Sequence, residues 1–208
     1  MVEVLVVLAV LFIVAALVLP GPHGGMVRAP RIQCVNNLKQ VGLAFRIWEG
    51  DYGNNYPTAV PETNGGSMEF TTGMNEFRHF QVMSNEVSTP KVLFCPAETD
   101  QNRFVGTNFV DLNNSNLSFF VGVDSKETMT NMILCGDHNI TNGTPIHNGL
   151  LAVTTNTLAG WTSEMHNKVG NILLDDGSVQ QTSIADLRKQ IAKTGVATNR
   201  LQMPVLGP

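Results

Sequence analysis

The sequence predicts an α+β fold: a long N-terminal α-helix, broken near residues 20–30, carrying a C-terminal antiparallel-sheet head. Three observations predict it. The stretch MVEVLVVLAVLFIVAALVL, residues 1–19, holds a single charge, Glu3. Between Ile32 and Trp48 the apolar residues return at three- and four-residue steps, which is the helical period. Later apolar runs are short, and Asp176-Gly177 separates two of them. Asp-Gly between such runs is a hairpin signal, because Gly accepts the positive φ of a tight turn.

A helix as uniformly apolar as residues 1–19 must lie among apolar neighbours, either lipid or copies of itself. At ~1.5 Å per residue it reaches about 28 Å, close to the hydrocarbon thickness of a bilayer. A cleaved secretory signal fits poorly. No Lys or Arg precedes the run, an acid sits near its start and Pro20-Gly21-Pro22 follows it. A plain membrane anchor leaves Glu3 unexplained, since a carboxylate deep in lipid costs a few kcal/mol unless it is partnered. The nearest cation is a free α-amino group, on this chain or a neighbouring one.

Residues 20–30, PGPHGGMVRAP, predict an extended linker. Pro20, Pro22 and Pro30 remove helix donors, and Gly21, Gly24 and Gly25 loosen what remains. Helix resumes at Arg31, with Ile32, Val35, Leu38, Val41, Phe45 and Trp48 on one stripe, and stops at Gly53-Asn54-Asn55. A second helix runs from an N-cap at Asn75 to Glu86. Strands are expected at Lys91–Cys95, Leu117–Val123, Met132–Cys135, Leu150–Thr154, Asn171–Leu174 and Ser178–Thr182. Ser183 caps a helix over Ile184–Lys193 that Gly195 closes, and Asn199–Met203 forms a last strand or lies on the head. The domain organisation is therefore an apolar helix at 1–19, a linker at 20–30 and one globular head at 31–208.

Composition narrows the function. The net charge is −4, 14% of residues are charged and no basic block occurs, which argues against a nucleic-acid surface. There is no G-x-S-x-G, no H-E-x-x-H, no phosphate-cradling glycine loop and no activated Cys-His pair, so nothing recommends an enzyme. Asp137-His138, His147, His166, Asp175 and Asp176 are of metal-binding type. No loop among them alternates oxygen ligands as a calcium site does. The preferred reading is structural: Asp176-Gly177 as a turn, Asp175 as its solvated flank, and His166 pinning its loop to the hairpin. Of Cys34, Cys95 and Cys135, one is left over if a bridge forms, and no CxxC or Cys/His spacing suggests zinc. Three buried free thiols remain the alternative.

MVEVLVVLAVLFIVAALVLP resembles the N-terminal segment of type IV pilins and type II secretion pseudopilins. Those proteins are cut by a prepilin peptidase, begin with a methylated Phe and carry Glu at the fifth mature position. By that pattern Glu3 is the family glutamate and two residues, commonly Phe-Thr, precede Met1. CVNNLKQVGLAFRIWEGDYGNNYP, from Cys34 to Pro57, is similar to the segment that follows the anchor in a bacterial pilin-like group. His166, followed by nine residues and then Asp176-Gly177, is similar to the His-x9-Asp-Gly signature of the same group.

The resemblance implies a pilin-like fold and a structural subunit. Such a subunit polymerises into an extracellular type IV pilus-like or type II secretion pseudopilus-like filament, served by pilus or secretion assembly machinery. It implies an inner-membrane precursor that becomes a periplasmic or extracellular filament on the cell surface. Assembly falls to Glu3, Val4, Leu5, Leu8, Leu11 and Phe12, with the Glu3 carboxylate meeting the N-terminal amine of an adjacent subunit. It pairs Cys34 with Cys95, because both lie in matching segments, and it admits Ca2+ near Asp175 and Asp176; no cofactor is otherwise expected. The rival reading is a monomeric envelope binding protein anchored in the inner membrane. A third is an anchored hydrolase using His166 and Asp176.

Overall fold

The computed structural model describes residues 2–18 and 24–207. Four helices occur there: α1 (Val2–Val18), α2 (Gly24–Asp51), α3 (Phe77–Val82) and α4 (Ile184–Lys193). The strands are β1 (Phe119–Gly122), β2 (Ile133–Asp137), β3 (Ile140–Thr141), β4 (Leu150–Val153), β5 (Gly160–Trp161), β6 (Gly170–Leu174), β7 (Val179–Thr182) and β8 (Asn199–Gln202). Six of them form one antiparallel sheet in the order β4-β8-β1-β2-β6-β7, and β3 pairs with β5 alone.

The sheet lies between α2 and α4, and strand alternation decides which side chain goes to which helix. Phe119 and Val121 of β1 and Leu173 of β6 join the α2 core, with Leu38, Val41, Phe45 and Trp48. Phe120, Ile172 and Leu174 point the other way, to Leu187 and Ile191 of α4. A register shift between Ile133 and Cys135 lets Leu134 and Cys135 face the same core. At Gly42 the helix backbone comes so close to β6 that a Cβ would stand 2.7 Å from Leu173 Cδ1. α4 starts with a reciprocal cap: Ser183 accepts from the Asp186 N–H, and Asp186 accepts from the Ser183 N–H.

The expected pilin-like fold is corrected here. In place of a long N-terminal helix broken near residues 20–30, the first helix is short, 17 residues, and the antiparallel sheet is large. The extended linker is also corrected, because α2 already begins at Gly24 and Gly25 and continues through Pro30. Pro30 forfeits one main-chain bond, a local cost of about 3 kcal/mol. The packed stretch from Cys34 to Trp48 fixes the helix that extends back over it. Pro20, Gly21 and Pro22 lie outside the described residues.

The inner-membrane precursor falls as well. No helix among the described residues is long and apolar enough to cross a membrane. α1 is about 25 Å long, against about 30 Å of hydrocarbon.

Smaller differences have local causes. Ile32 is exposed and off the buried stripe of α2, where Cys34 takes its place against the core. Lys91–Cys95 is not a strand. Thr89 caps the Lys91 N–H and Pro90 starts a 3-10 turn over Pro90–Leu93. α3 starts after Glu76 and lasts one and a half turns.

Candidate functional site

Two features stand out, one on the surface and one in the core. The first is α1. Every residue from Val2 to Ala15 is exposed, including Glu3, Val4, Leu5, Leu8 and Leu11, and Phe12 retains 78% of its accessible surface. The apolar residues surround the helix with no polar face, so no single contact with a sheet could cover them.

The second feature joins four distant segments. α2 supplies Cys34, and the turn after Leu93 supplies Cys95; the two form a disulfide across 61 residues. The loop between β5 and β6 supplies His166, whose Nε2 stands 3.5 Å from Cys95 Sγ. The same nitrogen lies 3.4 Å from Asp137 Oδ2, at the end of β2. Asn171 of β6 donates to that Asp137 oxygen twice, from its backbone N–H at 2.7 Å and from Nδ2 at 2.8 Å. The Asp137 Oδ1 has no partner among the described residues.

The His166 loop is held by Asn139. Its Nδ2 donates to the carbonyls of Glu164 and Val169, each at 3.1 Å, and of Thr162 at 3.4 Å. Met165, Asn167 and Lys168 all take positive φ, a conformation that costs L residues energy and persists only where the surroundings impose it.

Electrostatics follow from burial. Burial pushes Asp137 up to about 7, against the Asn171 hydrogen bonds and the Arg31 charge. Burial and then Arg31 bring His166 down to about 4. Both groups are driven toward their neutral forms, so their 3.4 Å approach is not an ion pair. Nearby, Glu98 accepts from His138 Nε2 at 2.8 Å and from the Ser118 hydroxyl at 2.9 Å.

The other expected site residues disperse. Asp176 is exposed and accepts from the Ser178 N–H, and Gly177 has φ +81°, so the pair makes the β6–β7 turn. Asp175 is fully buried, not a solvated flank; burial pushes it up to about 7. His147 pairs with Leu150 through its backbone. His166 reaches Cys95 and Asp137 instead of the hairpin. A cleft of about 390 Å³ lies near His138, Glu164 and Arg103. Arg103 is occupied there, donating to the carbonyls of Asn114, Leu117 and Pro204.

Among the described residues, the one group of His, Cys and acid side chains placed to hold a metal is Cys34, Cys95 and His166. Neither Asp175 nor Asp176 belongs to it. The separations along the chain hide it, since no two of its members share a short motif. Asp137 carries a signal only in its metal-binding side-chain type, and Asn139 and Asn171 carry none. No family model, no curated protein and no solved structure matches the chain.

Proposed function

We propose that the chain is a structural subunit that assembles with copies of itself into a helical filament of the type IV pilus or secretion pseudopilus kind. Its α1 forms the packing element. The observation that carries this reading is the unbroken apolar surface of α1 from Val4 to Ala15, exposed all round. Such a helix is stable in water only when apolar partners surround it, and identical helices supply them on every side. Head-to-tail association of this sort is open and yields a fibre.

α2 carries an exposed apolar face of its own. Leu43 and Ile47 are one turn apart, and Ile32 lies three turns before Leu43, so the three share a face; all are exposed. In the assembly, Glu3 meets the α-amino group of a neighbouring copy within the apolar bundle. That pairing sets the axial step, because an unpaired charge there is strongly disfavoured. The role is structural, not enzymatic, with the assembly machinery and other copies of the chain as partners.

The test is negative-stain electron microscopy of purified full-length protein and of Glu3→Ala and Glu3→Gln. Thin fibres from the parent, lost or strongly reduced in both variants while the sheet domain stays folded, are expected. Absence of fibres from the parent, or normal fibres from Glu3→Ala, would end this reading.

A further inference from the structure

We infer that Cys34, Cys95 and His166 form a zinc-class metal site when the Cys34–Cys95 bond is reduced, so that disulfide and metal are alternative fastenings of the same core. The three ligand atoms already lie within 4.8 Å of one another, on three buried side chains.

The distances suit tetrahedral zinc. Zn–S near 2.3 Å and Zn–N near 2.05 Å put sulfur and nitrogen ligands about 3.6 Å apart. Cys95 Sγ and His166 Nε2 are 3.5 Å apart. Two thiolates on one zinc stand about 3.8 Å apart, further than any disulfide allows, so metal and bond exclude each other. Asp137 Oδ2 stands 3.4 Å from His166 Nε2, outside the group of three, and nitrogen and oxygen ligands of one zinc lie about 3.3 Å apart. Asp137 Oδ1 is buried without a partner among the described residues, which leaves the carboxylate capacity to bind.

The supporting shell is in place. Asn171 fixes Asp137 by two hydrogen bonds, and Asn139 fixes the His166 loop by three.

The chemistry balances in two steps. A thiol or phosphine reductant cleaves the Sγ–Sγ bond, and two electrons and two protons convert it to two thiols. A dithiol ends as its own disulfide; a phosphine takes oxygen from water and ends as its oxide. Zn2+ then binds both sulfurs and expels the two thiol protons.

Cobalt(II) titration of the full-length chain, read by absorption, tests the site. After phosphine reduction, one equivalent of Co2+ is expected to bind with a thiolate-to-metal charge-transfer band, and Zn2+ should displace it. The oxidised chain should give no such band. Cys135→Ser should behave as the parent, and His166→Ala should weaken binding by about 100-fold or more. If the reduced chain unfolds without metal by circular dichroism, Zn2+ should refold it. A reduced chain that neither takes up cobalt nor refolds with zinc would overturn the inference. So would equal binding by the oxidised chain, or unchanged affinity in His166→Ala.

Discussion

Glu98 Oε2 accepts the Nε2–H of His138 at 2.8 Å, tying the segment after Cys95 to the residue that follows β2. The carboxylate is almost wholly enclosed, with 2% of its side-chain surface accessible. Burial alone would raise its pKa. The His138 hydrogen bond and charge, the Asp100 N–H and the Ser118 hydroxyl outweigh it, and the net value falls to about 2 from an ordinary 4.5.

A carboxylate with a lowered folded pKa stabilises the fold above its unfolded pKa and loses that contribution as pH falls through the folded value. Glu98 should therefore contribute fully above about 4.5 and progressively less down to about 2. Urea unfolding of Glu98→Gln across that window should show a flatter profile than the parent, with a difference of order 2–3 kcal/mol at its upper end. Parallel profiles would show that His138 adds nothing to the fold.

Asp175 titrates with the opposite sign. Burial pushes it up to about 7 from 3.8, with Ser125, the Lys126 N–H and Tyr56 opposing. Ser125 is only a partial counterweight, because its hydroxyl donates to the Ile133 carbonyl at 3.1 Å and both Asp175 oxygens lack a hydrogen-bond partner among the described residues. A raised carboxylate pKa favours the fold below the unfolded pKa, and the advantage disappears as pH rises through the folded one. Asp175→Asn should gain stability over the parent between pH 4 and pH 8, read as a rising difference in urea midpoint. A constant difference would contradict the assignment.

The Cys34–Cys95 bond closes a loop with a sequence separation of 61. Constraining an unfolded chain over such a loop contributes about 4 kcal/mol in the chain-entropy account. The Cys34→Ser, Cys95→Ser double variant should lose stability of that order in metal-free urea unfolding. An unchanged midpoint would mean that the surrounding core alone holds α2 on the sheet.

What the sequence disclosed follows from how local each signal is. The Asp176-Gly177 turn, the Ser183 cap and the buried stripe from Leu38 to Trp48 depend on residues within a few positions, and the structure places them there. Ile32 connects to that stripe only through the three-residue step to Val35, and it lies on the opposite, exposed face of α2 with Leu43 and Ile47. Lys91–Cys95 alternates too weakly to overrule Thr89-Pro90. The core cluster was legible only in part: the Cys34–Cys95 pairing came with the resemblance, but Asp137 meets Asn171 across 34 residues and Cys95 meets His166 across 71. Asp175 looked solvated beside a polar turn; only the packing over Tyr56 and Met132 shows it buried.

Leu43 separates folding from assembly. Its side chain is 60% exposed on the face of α2 away from the sheet. Leu43→Glu should change unfolding free energy by less than about 0.5 kcal/mol. Fibre yield, read by pelleting, should drop sharply. An unaffected yield would place that face outside the subunit contact.

The decisive measurement is sedimentation velocity of the full-length chain over a concentration series, beside the double variant Leu8→Glu, Leu11→Glu. The parent should sediment as large, concentration-dependent polymers and the variant as single molecules with an intact head by circular dichroism. A parent that stays monomeric throughout, or a variant that polymerises as the parent does, would contradict the claim that α1 buries itself among its own copies.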